Sequence, residues 1–133
     1  MFLRRNLRPA QDQRGFTLVD VMIAVAIISI LAAIVVPLYG NVTARIRVIE
    51  ARNNARIIAT AVVAYSRRTG NLPAALADLA VPVVVNGACA GPFLDPIPTP
   101  PKGGDWPAAY TYTVTGQTFV VFASGDGATI TMP

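Results

Sequence analysis

One carboxylate stands where water is scarce. Asp20 opens an apolar run, and from Val21 to Val36 the only polar side chain is Ser29. A buried carboxylate is costly unless a cation or hydrogen-bond donors compensate it, so Asp20 needs a partner. Five residues ahead of it lies Gly15, at the end of a basic leader. Cutting the chain after Gly15 would free the amine of Phe16, which stays protonated near neutral pH unless strongly desolvated. If copies stack side by side with an axial offset, Asp20 of one can meet the Phe16 amine of another. Such a pair is neutral overall in a dry core and favours one register among otherwise featureless apolar helices. The competing arrangement keeps Asp20 at a headgroup boundary beside its own amine, four residues away on the same helix face.

The remaining chemically able groups are sparse. The chain has no histidine, which removes Ser-His and Cys-His nucleophile pairs and the commonest metal ligand. Cys89 is the single cysteine, so no internal disulfide can form. Set between alanines, it reads as a small buried apolar residue. Asp95, Asp105 and Asp126 could offer oxygens to calcium, which takes about six to eight, but none stands in a recognisable calcium loop. Asp126 lies between Gly125 and Gly127 and reads first as a tight-turn residue.

These groups need elements to position them. Val21 to Ala44 is a charge-free stretch of 24 residues, and roughly 20 helical residues cross a hydrocarbon core. Ten large aliphatics between Val21 and Val36 each favour insertion by about 0.3 to 0.6 kcal/mol. Together they outweigh Asp20, whose cost is about 3 kcal/mol at the centre and less near an edge. Pro37 is expected to kink or loosen the helix by removing one hydrogen bond. Beyond it Val42, Ile46, Ile49, Ile57, Ile58, Ala61, Val62 and Tyr65 recur at helical spacing. Arginines mostly occupy the other face, which reads as solvated, and Gly70 is a natural stop. One helix from Phe16 to about Arg68 is expected.

Eight of the eleven prolines fall between Asn71 and Pro107, so this stretch reads as loop, with a short helical turn over Leu72–Leu79 and an extended piece over Val81–Val85. Tyr110 to Thr115 alternates cleanly, Gly116-Gln117 suits a two-residue hairpin turn, and Thr118–Ala123 and Ala128–Met132 complete a meander. Tyr110, Tyr112, Phe119 or Phe122, and Ile130 are expected against the Ile57–Tyr65 face. The fold class is α+β, a long amino-terminal helix packed on a small antiparallel sheet.

The apolar fraction is 53% and the net charge +4. Arg4, Arg5, Arg8 and Arg14 belong to the leader with Asp12. Without it the charge is about +1, so the basic block reads as a positive-inside topology signal rather than a nucleic-acid footprint. An ordinary signal-peptidase cut after Val42-Thr43-Ala44 leaves Gly15-Phe16-Thr17-Leu18 and Asp20 unexplained. A twin-arginine reading of Arg4-Arg5 lacks support in the residues that follow.

The order Gly15, Phe16, Thr17, Leu18, Asp20, apolar run, Pro37 resembles the class III signal of type IV pilins and of the pseudopilins of type II secretion. The resemblance implies cleavage between Gly15 and Phe16 by a prepilin peptidase, methylation of the Phe16 amine, and assembly through Phe16, Asp20 and Pro37. The family usually carries Glu where this chain has Asp20, one methylene longer. Further on, Tyr65, Gly70, Pro73, Leu76 and Leu79 match the major pseudopilins. So do Gly91-Pro92-Phe93-Leu94, Trp106, Tyr110-Thr111-Tyr112 and Ser124-Gly125-Asp126-Gly127. That branch binds calcium in its last loops, so Asp126 is the candidate metal ligand; the apolar Phe119-Val120-Val121 run replaces the acid expected on the preceding strand. Otherwise no cofactor is implied.

The resemblance divides the chain into a cleaved leader (1–15), a transmembrane and filament-core helix (16–40) and a head (41–133). The head comprises an amphipathic helix over 41–68, a proline-rich loop over 69–108 and a β-meander over 109–133. It implies a structural subunit, not an enzyme, of a helical homo-oligomer, most similar to a secretion pseudopilin, with a major type IV pilin for motility, adhesion or DNA uptake as the alternative. Partners would be the peptidase, an inner-membrane assembly platform, minor pilins or pseudopilins, and membrane lipid before assembly. The subunit would sit in the bacterial inner membrane with its leader cytoplasmic and its head periplasmic, then join a filament. A membrane-anchored enzyme is the rival from another class, but the head offers no histidine and few clustered acids. A binding module on a plain anchor is harder to separate from the filament subunit.

Overall fold

The computed structural model describes residues 15–133. The leader expected over residues 1–15 lies outside them except for Gly15. The chain forms two compact units, one ending at Leu38 and one running from Tyr39 to Pro133.

In the first unit the helix α1 (Leu18–Thr69) begins directly after Thr17. Its early residues are apolar on every side and exposed throughout, from Leu18 to Leu38. A helix that is hydrophobic all round must be covered by lipid or by other helices. By length and hydropathy α1 can cross a membrane, with a mean hydropathy of 3.0 over its most apolar window. Pro37 does not end α1. The helix continues through it, less the one hydrogen bond that a proline nitrogen cannot donate.

The second unit contains the rest of α1, a 3-10 helix (Leu76–Ala80), and five strands: β1 (Val83–Val85), β2 (Ala88–Ala90), β3 (Thr111–Thr115), β4 (Thr118–Gly125) and β5 (Ala128–Met132). β1 and β2 form an antiparallel ribbon, while β3, β4 and β5 form an antiparallel meander in that order. The core joins Ala51, Ala55, Ile58, Ala61 and Val62 of α1 to Leu79, Tyr110, Val121, Ala123 and Ile130. Three alanines on the inner face of α1 let strand side chains approach the helix backbone closely. Tyr110 uses that proximity: its hydroxyl donates to the Ala51 carbonyl at 2.8 Å. Burial pushes its phenol up to about 12.

Several expectations need correction. Ile46, Ile49 and Ile57 point outward, at 56%, 60% and 47% exposure, because the buried stripe follows the alanines instead. Of the two phenylalanines that alternation left open, Phe119 packs partly against the core as one alternative had it, and Phe122 faces out between Thr111 and Thr131 of the flanking strands. The proline-rich stretch holds a hairpin: Asn86 and Gly87 both adopt positive φ, 53° and 79°, and turn β1 into β2. Cys89 is exposed on that ribbon, opposite Val84. The second turn of the meander is narrower than expected, because β4 extends to Gly125 and leaves Asp126-Gly127 to make it.

Candidate functional site

The amino-terminal site is built from consecutive residues. Thr17 is the residue before the first turn of α1, where four N–H groups lack helical partners. Its hydroxyl accepts from the Asp20 N–H at 3.2 Å, and Asp20 Oδ2 accepts from the Thr17 N–H at 3.0 Å. This reciprocal pairing is a capping box, and its signature, Thr-x-x-acid, was present in the sequence but not read there. The Thr17 hydroxyl also lies 2.7 Å from Asp20 Oδ2. Within one copy, therefore, Asp20 is held by Thr17 on one oxygen, and the helix starts where it does because of that pairing. A negative charge in the first turn is also favoured by the helix dipole. Gly15 and Phe16 precede the cap; Phe16 is 92% exposed and a Cβ at Gly15 would meet nothing within 4 Å. A peptide bond so placed is open to an enzyme. Pro37 lies far along the same helix and touches neither residue.

Asp126 stands in the second unit, in a different environment. Arg47 grips it with a planar fork, Nε to Oδ2 at 2.6 Å and Nη2 to Oδ1 at 2.8 Å. The Trp106 indole donates to Oδ2 at 2.7 Å. The Asp126 N–H donates to Asp105 Oδ1. Two glycines make room: a Cβ on Gly104 would lie 2.7 Å from Asp126 Oδ1, and one on Gly125 would lie 2.5 Å from the Trp106 ring. The Arg47 guanidinium and then the Trp106 indole hold the Asp126 carboxyl well below the usual range, at about 2. The Arg47 guanidinium is raised in return by Asp126. The cluster ties the β4–β5 turn and the Trp106 loop to α1.

As a calcium ligand Asp126 fits poorly, because both its oxygens face N–H donors and the positive group beside them is a guanidinium. Calcium needs a shell of oxygens. Asp95 does not join the cluster, and among the described residues no three His, Cys, Asp or Glu side chains gather closely enough to hold a metal ion. Composition alone could not single out Arg47 as the partner of Asp126. Helical spacing put it near the solvated arginines, although it is 24% exposed at its side chain and its inward tilt decides its role.

Comparison with known proteins bears on the amino-terminal site. Residues 11–36 match the family model described as the prokaryotic N-terminal methylation motif. The fimbrial protein EcpC of Eikenella corrodens is 44% identical over 77 residues, covering 58% of this chain and 50% of that protein. The type IV major pilin protein PilE1 of Neisseria gonorrhoeae is 44% identical over 61 residues, 46% of this chain and 37% of its own. A fimbrial protein of Pseudomonas aeruginosa is 51% identical over 49 residues, 37% of this chain and 32% of its own. The chain thus spans half or less of the length of these relatives. No solved structure gives a significant match. The chain carries the prokaryotic N-terminal methylation motif over residues 11–36 and is similar to type IV major pilins and fimbrial proteins.

Proposed function

We propose that this chain is the precursor subunit of a type IV pilus filament, cut after Gly15 and methylated at Phe16. It does structural work and no catalysis. The observation that carries the reading is the coincidence of the methylation motif over residues 11–36 with the start of α1, where Leu18 to Leu38 is exposed throughout and Asp20 is the only charge. Before assembly, lipid covers that helix; afterwards the helices of other copies do. The Phe16 amine freed by the cut then offers Asp20 a cation in a medium where neither charge is stable alone. Thr17 serves as the interim partner of the carboxylate within one copy.

Between a surface pilus and a secretion pseudopilus, the relatives favour the surface pilus, since the printed names are those of fimbrial proteins and major pilins. The pseudopilin reading keeps support from the head, where Trp106, Gly125 and Asp126 pack together as its landmark residues. The calcium associated with that branch has no fitting site at Asp126. Co-expression with a prepilin peptidase, followed by mass spectrometry of the amino terminus and electron microscopy of sheared material, tests the proposal. A methylated Phe16 and long extracellular filaments are expected. An intact leader, or a start at Arg45 after cutting at Ala44, would overturn it.

A further inference from the structure

Five arginines of α1, Arg45, Arg52, Arg56, Arg67 and Arg68, are exposed and make no ion pair among the described residues, where the salt bridge is that of Arg47 with Asp126. Most acids are already engaged: Asp20 with Thr17, Asp78 with the Ala75 N–H, Asp105 with the Asp126 N–H, and Asp126 with Arg47. Among the described residues that leaves Glu50, on α1 beside the arginines, and Asp95.

Asp95 is exposed on a turn that is firmly seated. The Phe93 and Leu94 N–H groups both donate to the Leu79 carbonyl, at 2.8 and 3.0 Å, and the Phe93 ring meets Tyr65 edge-on at 5.4 Å. The arginines frame complementary ground. Arg56 and Arg67, about three helical turns apart, border an apolar groove of about 420 Å³ with Ala59, Val63 and Met132. Phe93 and Leu94 border a second groove that shares Arg56, yet Asp95 forms no salt bridge to that arginine within the chain.

We propose that this face of α1 docks a second copy of the chain, whose Asp95 carboxylate sits on Arg56 while its Pro96 and Ile97 cover the apolar floor that runs toward Arg67. The proposal rests on the filament reading and names the head-to-head contact within it. Charge complementarity identifies the occupant: a firmly seated acid followed by apolar residues matches the Arg56 guanidinium at the edge of an apolar groove. Apolar cover excludes water from the pair and strengthens it beyond an exposed surface contact. Repetition along a polymer multiplies a contact too weak to hold two copies together in solution.

The test uses the full chain in a piliated host lacking its own pilin, with filaments sheared and quantified. Arg56→Glu and Asp95→Arg alone should each lower filament yield about tenfold or more, and the two together should restore it. As a second measurement, one chain carrying Arg56→Cys is co-expressed with another carrying Asp95→Cys, both with Cys89→Ser. Oxidation should yield a disulfide-linked dimer that neither chain forms alone. Wild-type filaments combined with normal yields from both single variants would overturn the contact. So would loss without restoration together with no dimer. A wild type that makes no filaments would instead overturn the filament reading itself, and the contact with it.

Discussion

Arg47 and Asp126, 79 residues apart in sequence, meet as a fork on a carboxylate with both nitrogen–oxygen distances under 3 Å. The relationship joins the last turn of the sheet to the helix, with the Trp106 indole as a third member. The positive charge facing this carboxylate is thus a guanidinium from the helix.

Replacing Arg47 should consequently loosen the head. Lysine keeps the charge but cannot present two parallel N–H groups, so Arg47→Lys is expected to lose part of the stability and Arg47→Ala more. Scanning calorimetry of the detergent-solubilised chain should show a fall of roughly 5 °C for the alanine variant. Wild-type melting should not move when a calcium chelator is added. A chelator-induced drop in the wild type would show that a metal, not Arg47, carries this corner.

The same cluster sets an acid limit. Asp126 is held at about 2 against an ordinary value of 3.8, so the folded state binds its proton less readily than the unfolded chain does. Its contribution is present above about pH 4 and is lost as the pH falls through the window between 3.8 and 2. Asp126→Asn should be less stable than wild type at neutral pH, and the gap should narrow as the pH approaches 2. A gap that stays constant across this window would contradict the assignment.

Much of the architecture was legible from periodicity. The long helix, the meander and its Gly116-Gln117 turn follow from alternation and spacing alone. What failed has physical causes. Helical spacing finds Ile58, Ala61 and Val62 on the inner face, but not Ala51 and Ala55, because a sheet packs closest over small side chains. The Asn86-Gly87 turn was hidden by the surrounding prolines. Cys89 appeared buried by type, yet a two-stranded ribbon leaves one face uncovered. The cap of Thr17 on Asp20 lies in the Thr-x-x-acid spacing, which the charge of Asp20 alone does not reveal.

The facing of the helix can be checked with neighbouring isoleucines. Ile58 is fully buried and Ile57 is 47% exposed. Ile58→Ala should cost about 2–5 kcal/mol, through lost transfer energy plus a cavity. Ile57→Ala should stay within about 0.5 kcal/mol in the isolated subunit. Urea denaturation of the two variants compares them directly, and equal losses would mean the inner face is misplaced. Gly125→Ala belongs to the same experiment: its Cβ would strike the Trp106 ring, and overpacking of this kind costs about 1–3 kcal/mol.

Asp20 caps the helix through Thr17 and also bears a charge, and substitutions can separate the two. Asparagine keeps a carbonyl oxygen for the Thr17 N–H but has no charge to offer a Phe16 amine. Alanine removes both. Thr17→Ala removes the hydroxyl that accepts the Asp20 N–H, at a cost of about 1 kcal/mol for a lost cap, and leaves the charge. If the charge sets the register of assembly, Asp20→Asn and Asp20→Ala should both insert in the membrane and be cleaved, yet form no filaments. Thr17→Ala should assemble with reduced yield, and Asp20→Glu, with the same charge on a longer reach, should assemble normally. Cleavage is read by mass spectrometry and assembly by shearing and electron microscopy. Normal filaments from Asp20→Asn would leave capping as the residue's whole task and remove the ammonium–carboxylate pair from the mechanism.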